Sequence, residues 1–335
     1  GGLRVRRGLR PEVPEGGGLI AQAAAPAASS TPAARLRGRL AGEVLLLDGG
    51  LATRLEDRGV DLSGHLWSAR VMLDEPEEIA AAQRDFLAAG AQVVTTASYQ
   101  ASRAGFATLG LTSAEVDTLL AADARRARAV AEQWQAEHPG AEAEVLVVGS
   151  VGPYGAMLND GSEYRGDYDV SVPELREFHA RRLAVLAAEC DVLALETIPQ
   201  LREVEALMTL IDGLGVPVWI SVSAAGDRLR SGESAAEAFA MARGVPEVVA
   251  VGANCIDPAD AAALADLAAQ VSGLPAVIYP NSGESWSGGQ WSGDPTAPTD
   301  VTAWVTAGAR IVGGCCRVTP DHIAAMARSL GRSAG

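Results

Sequence analysis

Three of the four cysteines stand where a metal could be held. Cys255 closes the aliphatic run EVVAVGANC, and the adjacent pair Cys315 and Cys316 closes ARIVGGCC. Thiolates are soft ligands that suit zinc, and three protein ligands leave one tetrahedral position open, the arrangement of a catalytic site, whereas a closed structural site uses four. Two carboxylates end comparable runs, Asp48 in VLLLD and Glu196 in DVLALET. A zinc ion held by three thiolates is anionic as a unit, and two further carboxylates beside it would suit a positively charged group such as an amine. Other readings stay open at this point. Cysteines are commonly buried and inert. A redox pair at Cys315 and Cys316 is opposed by the strained ring that adjacent cysteines close. Asp48 could cap a helix and Glu196 could pair with an arginine, or the two could form the acid and base of a glycosidase, which would leave the cysteines without purpose. A protein that binds zinc or an amino-acid thiol without turnover also fits. Cys190 precedes its strand and reads as an ordinary buried thiol.

The elements that must bring these residues together recur along the chain. Short β-branched and aliphatic runs occur at Val44–Asp48, Ala91–Ser98, Glu144–Ser150, Asp191–Thr197, Val216–Ser223, Glu247–Cys255, Pro275–Asn281 and Ala309–Gly314. They are apolar throughout instead of alternating, as strands buried on both faces are. Between them the spacing predicts helices over Pro76–Ala89, Ser113–Glu137, Val172–Ala188, Leu201–Leu214, Ala235–Arg243, Pro258–Val271, Asp300–Ala307 and Pro320–Leu330. Ser171 and Thr319, each followed within two residues by Pro, are start signals for two of them. Strands and helices alternating in this number predict an α/β fold, a (β/α)8 TIM-type barrel of parallel strands, ahead of an open Rossmann-like sheet. In such a barrel the C-terminal ends of the strands converge on the active site. Cys255 then ends the sixth strand and Cys315–Cys316 the eighth, near enough to share a metal. Gly313 and Gly314 are expected to free the backbone so that both adjacent thiols turn the same way.

Bulk properties narrow the function. The formal net charge of -15 and the absence of any Lys argue against a nucleic-acid partner and exclude lysine Schiff-base and P-loop chemistry. No apolar stretch reaches the roughly 18 residues of a membrane span. Four cysteines in 335 residues are no disulfide framework, so a reducing, cytoplasmic setting is expected. Residues 1–40, rich in Ala, Gly, Pro and Arg, read as a disordered or mis-assigned tail preceding one barrel domain over 41–331. His65, His138, His179 and His322 fall away from the strand ends and are not expected to bind metal. Trp286 and Trp291 sit in a Gly/Ser-rich loop that could cover the rim and meet a cation. The oligomeric state is not legible.

The segments DGGLATRLEDRG, TTASYQAS, GSVGPYGAMLNDGSEYRGDY, ALETIPQLREVEAL, GANC, YPNSGE and GGCCRVTPDHI together resemble the homocysteine S-methyltransferase family over about Val44 to Leu330. TASYQAS, YPNSGE and GGCCR are most similar to the branch that uses S-methylmethionine. The resemblance implies a (β/α)8 barrel with zinc (Zn2+) on Cys255, Cys315 and Cys316. It implies homocysteine held through Asp48, Gly49, Thr96 and Glu196, and a methyl-sulfonium donor, S-methylmethionine or S-adenosylmethionine, as the second substrate, giving methionine. The sequence departs from that branch at Val222, where an aromatic is common.

Overall fold

A computed structural model describes residues 31–62, 67–140, 144–287, 290–293 and 295–332. Eight parallel strands, β1 (Leu45–Leu46), β2 (Val93–Thr95), β3 (Leu146–Val151), β4 (Val192–Ile198), β5 (Val218–Val222), β6 (Val248–Asn254), β7 (Ala276–Tyr279) and β8 (Ala309–Val312), each lie beside the next in sequence, with β8 returning to β1. The seam between β1 and β2 is closed by the Gln92 N–H donating to the Leu46 carbonyl at 2.8 Å. On the other side, the Leu46 N–H donates to the Gln92 side chain at 3.0 Å. A side-chain amide thus replaces a ladder bond there. The expected (β/α)8 barrel is the observed fold.

Alternate residues of the strands point inward. Leu45, Leu47, Val93, Val148, Val192, Ala194, Trp219, Val277, Tyr279 and Ile311 fill the barrel as one buried cluster. Their neighbours Leu46, Val94, Val147, Leu193, Ile220, Val251, Ile278 and Val312 point outward into a second layer under the helices. Burial on both faces explains why these runs lack alternation. The covering helices are α1 (Pro76–Ala88), α2 (Ser113–Glu137), α3 (Val172–Ala187), α4 (Leu201–Ile211), α5 (Ala235–Ala240), α6 (Ala261–Ser272), α7 (Thr302–Thr306) and α8 (Pro320–Ser329). Thr112 with Glu115, Ser171 with Glu174, and Thr319 with His322 form reciprocal caps that satisfy free N–H groups at the starts of α2, α3 and α8. His322 therefore serves as a cap, its Nδ1 accepting from the Thr319 N–H at 3.0 Å.

The structure corrects the N-terminal boundary. Residues 32–40, expected to belong to the tail, are part of a helix, Pro32–Gly42, that closes the barrel floor. Thr31 caps it and Pro32 starts it; Ala33, Leu36 and Leu40 bury one stripe in the barrel-interior cluster. Arg37 donates to the Val248 carbonyl at 3.0 Å, fastening the helix to the start of β6. The Ala/Pro/Arg bias of the preceding run masked this stripe. The remainder of the predicted tail, 1–30, lies outside the described residues. Among the described residues no helix is long and apolar enough to cross a membrane.

Candidate active site

At the C-terminal rim, the chain's turns bring Cys255, Cys315 and Cys316 together, with all three sulfurs within 4.8 Å of one another. Cys255 follows β6 with φ +50°, a left-handed conformation that swings its thiol out of the strand direction. The loop after β8 is held from β7: the Cys315 N–H donates to the Pro280 carbonyl at 2.8 Å and the Cys316 N–H to Asn281 Oδ1 at 3.1 Å. The expected freedom of Gly313 and Gly314 is not what the site uses, since neither has a positive φ. A Cβ on Gly314 would collide with Val318, and one on Gly49 would collide with the Val318 carbonyl and the Phe86 ring. Glycine is needed because the β1 and β8 ends approach closely, and the positive φ falls instead on Arg317, at +65°.

Two of the three sulfurs are joined here: Cys255 and Cys315 form a disulfide with Cα atoms 5.6 Å apart, while Cys316 is free and half-buried. The adjacency argument disfavoured only a Cys315–Cys316 bond; the pair that bonds comes from two strand ends at an ordinary Cα separation. Metal ligation by three thiolates requires that bond to be reduced. The donor set then fits zinc, because tetrahedral sulfurs at metal–sulfur bonds of about 2.3 Å lie about 3.8 Å apart. Cys255 Sγ and Cys316 Sγ are already 3.9 Å apart. Asn254 Nδ2 lies 3.8 Å from Cys315 Sγ and donates to Thr197 Oγ1 at 2.8 Å; its Oδ1 accepts from the Thr197 N–H at 2.7 Å. Cys190 is remote, at the N-terminal end of the barrel in a cleft with Pro32, Arg35 and Asp191. Burial pushes its thiol up to about 12, which leaves it protonated and unreactive.

The carboxylates stand beside the cysteines. Asp48 Oδ2 accepts from the Thr95 N–H at 3.2 Å. Burial, against the Thr95 hydrogen bond and with a further push from the Glu196 charge, raises Asp48 to about 7. Glu196 is raised by burial as well, and is held at both oxygens, by Ser150 Oγ on one and by the Tyr279 hydroxyl at 2.9 Å on the other. The Glu196 charge that pushes Asp48 up would be offset by a cation placed between the two half-buried acids. Thr96, expected among the substrate contacts, is 2% exposed and occupied. Its hydroxyl accepts from the Ser150 N–H at 3.0 Å and donates to Ser98 Oγ at 2.7 Å, because Ser98 spends its own proton on the Ser150 carbonyl. Thr95 is the threonine that meets Asp48.

Tyr279, Tyr164 and Arg230 were not singled out from the sequence. Tyr279 lies in YPNSGE at the end of an apolar run. The Tyr164 hydroxyl lies 4.0 Å from Cys316 Sγ. Arg230 donates to the Cys255 carbonyl at 3.2 Å and to Ser223 Oγ at 3.0 Å. Arg317 and Glu284 pair at 3.1 Å, tying the turn after Cys316 to the loop after β7. Beyond it Ser285–Ser287 and Gln290–Ser292 pair antiparallel, and the side chains of Trp286 and Trp291 lie outside the described residues, as does His65.

Comparison with known proteins agrees with this geometry. Residues 45–330 match the family described as homocysteine S-methyltransferase. Homocysteine S-methyltransferase of Escherichia coli is 44% identical over 293 residues, which are 85% of this chain and 94% of that one. Homocysteine S-methyltransferase 2 of Zea mays is 40% identical, covering 88% and 91%. The crystal structure of the E. coli homocysteine methyltransferase MmuM in its metallated form superposes with a TM-score of 0.79 at 43% identity, over 88% of this chain and 99% of that one. Its oxidized form superposes with a TM-score of 0.79 at 42% identity, over 87% and 97%.

Proposed function

The chain belongs to the homocysteine S-methyltransferase family, and we propose that it moves a methyl group from a sulfonium donor, S-methylmethionine or S-adenosylmethionine, to the thiol of homocysteine, giving methionine. The observation that carries this reading is the convergence of Cys255, Cys315 and Cys316 beside two half-buried carboxylates whose pKa values are raised. In the reduced protein these cysteines would hold zinc. Zinc bound there supplies a Lewis acid that lowers the pKa of the incoming thiol so that its sulfur attacks as thiolate.

The chain's own residues bind and orient. Asp48 and Glu196 take the homocysteine amino group, whose positive charge relieves their mutual repulsion. Ser150 and Tyr279 fix the two Glu196 oxygens, so the amine meets a carboxylate that cannot rotate away. Gly49 lets the β1 end pack against Val318 and so sets the position of Asp48; Thr96 locks the β2 end to β3 through Ser150. In the transfer the acceptor sulfur's lone pair forms the new S–CH3 bond, the donor's S–CH3 bond breaks with its pair left on the donor sulfur, and both charges vanish. A reaction that destroys charge gains little from further polarisation, so a rigid rim that aligns the two sulfurs contributes most.

The test uses reduced, zinc-loaded protein with homocysteine, offered S-methylmethionine, S-adenosylmethionine and betaine separately, with methionine measured. The sulfonium donors are expected to react and betaine to fail, and Cys315→Ser to lose zinc and turnover together. Methyl transfer that persists in protein stripped of zinc would overturn the reading.

A further inference from the structure

Between β3 and α3 the chain makes a turn, Ser162–Tyr164, whose construction is more rigid than a surface loop requires. The Asp160 carboxylate accepts from the Ser162 N–H at 2.9 Å, Arg165 donates to the Asp160 carbonyl at 2.8 Å, and the Tyr164 N–H donates to the Gly161 carbonyl at 3.0 Å. The helix before it, Tyr154–Leu158, packs so closely that a Cβ on Gly155 would come within 2.7 Å of the Glu163 nitrogen and the Tyr168 ring. Behind this assembly lies Glu203, fully buried, which accepts from the Tyr154 N–H at 2.7 Å, from the Tyr168 hydroxyl and from His179 at 2.7 Å. The segment is fastened at both ends and in the middle.

What this frame presents is an unpaired acid. Glu163 is 6% exposed, and its Oε2 is buried with no hydrogen-bond partner among the described residues. Its backbone amide is the hydrogen-bond donor that lowers its pKa. The charged groups that act on it are Asp160, which repels, and Arg165, which attracts. Arg165 is already engaged with Asp167 at 2.8 Å and with Asp160. Burial accordingly raises the Glu163 carboxyl to about 7. Its charge reaches Tyr99, Tyr164 and Cys316, and the next residue, Tyr164, sets its hydroxyl 4.0 Å from Cys316 Sγ. A buried carboxylate without a counter-ion either takes a proton or receives a cation from outside. Here its charge acts on Cys316, and its neighbour Tyr164 reaches the sulfur cluster on the rim where a second substrate must approach.

We propose that Glu163 is the anionic subsite for the methyl donor, its unpartnered Oε2 facing the sulfonium of the donor while Tyr164 bridges the subsite to Cys316. This rests on the methyl-transfer reading of the same rim. A sulfonium has no N–H to donate, so a bare carboxylate is a better partner for it than a hydrogen-bonding side chain. The subsite also distinguishes donor from product: once the methyl group has left with the positive charge, the remaining thioether is neutral and the attraction ends. Glu163 acts on donor binding and has no part in holding homocysteine.

The experiment compares S-methylmethionine with its neutral isostere 2-amino-5-methylhexanoate, in which CH replaces the sulfonium and the amino-acid end is unchanged. Dissociation constants for both are measured by calorimetry in zinc-loaded wild type and Glu163→Gln, without homocysteine. Losing one member of a buried charge pair predicts a preference for the sulfonium of about 30-fold or more in wild type that collapses in Glu163→Gln. Zinc content and homocysteine KM should not change, and the melting temperature should not fall, since an unpaired buried charge has been removed. A folded Glu163→Gln that keeps the preference overturns the proposal. So does one that weakens both ligands equally, because the acid would then be serving the amino end. If Glu163→Gln does not fold, Glu163→Ala carries the same comparison. Wild type that makes no methionine from any donor sinks the methyl-transfer reading, while the binding ratio still judges Glu163 by itself.

Discussion

Replacing Asn254 by Ala tests how firmly the rim is held. Asn254 is fully buried, and its side chain makes three contacts, accepting from the Thr197 N–H at 2.7 Å, donating to Thr197 Oγ1 at 2.8 Å and approaching Cys315 Sγ at 3.8 Å. Thr197 holds φ +59°, a conformation that a β-branched residue adopts only when its surroundings impose it. Asn254→Ala leaves the Thr197 N–H buried and unpaired, at a cost of about 1–3 kcal/mol. With the void added, the loss is about 2–4 kcal/mol, which for a domain of this size lowers Tm by roughly 3–6 °C. The N–H near Cys315 is lost too, and removing a group that orients a ligand typically weakens metal binding by about 10–100-fold. Zinc affinity is read by competition with a chromophoric chelator under reducing conditions, and Tm by calorimetry on the same preparations. A fall in Tm with unchanged zinc affinity would show that Asn254 supports only the backbone and would refute its action on Cys315.

Asp48→Asn should change the pH dependence of stability. In the folded protein Asp48 keeps its proton up to about 7, whereas its ordinary value is 3.8, so the wild type loses stability from this group as pH rises between those values. The variant has no such loss, and its Tm relative to wild type, without homocysteine, should be higher at about pH 8 than at about pH 4; an equal difference at both would remove the burial argument. Tyr279→Phe deletes one of two hydroxyls on Glu196 and should raise the homocysteine KM about 10-fold or more, with zinc content and donor KM unmoved. A KM that stays put would mean Ser150 alone orients the carboxylate.

The barrel and the sulfur trio were legible because both depend only on counting. Once Cys255 ends the sixth strand and Cys315–Cys316 the eighth, their convergence follows from parallel closure, whatever the details of register. What escaped depends on parity and on local φ. Thr95 and Thr96 are neighbours in one run, and a one-residue difference moves a side chain to the other face of the strand; nothing in TTASYQ says which hydroxyl faces Asp48. Tyr279 has the composition of core and the position of a site residue, and only the partner of its hydroxyl separates the two. The floor helix was hidden by composition, its stripe of Ala33, Leu36 and Leu40 embedded in an Ala- and Arg-rich run.

Three of the uncommon backbone conformations lie where the sulfurs meet. Among the described residues, four other than glycine have positive φ: Asn159, Thr197, Cys255 and Arg317. Thr197 is clamped by Asn254, Cys255 carries a sulfur, and Arg317 follows the other two sulfurs, its N–H donating to Thr53 Oγ1 at 3.0 Å. Conformations of this kind cost about 1–3 kcal/mol each and persist only where neighbours over-determine them. Here the neighbours are strand ends locked by Asn281, Pro280, Thr53 and the Glu284–Arg317 pair. These hydrogen bonds hold the backbone from outside the sulfur cluster. Reducing the Cys255–Cys315 bond would free two sulfurs that already lie within 4.8 Å of Cys316 Sγ, the set a three-thiolate metal site needs.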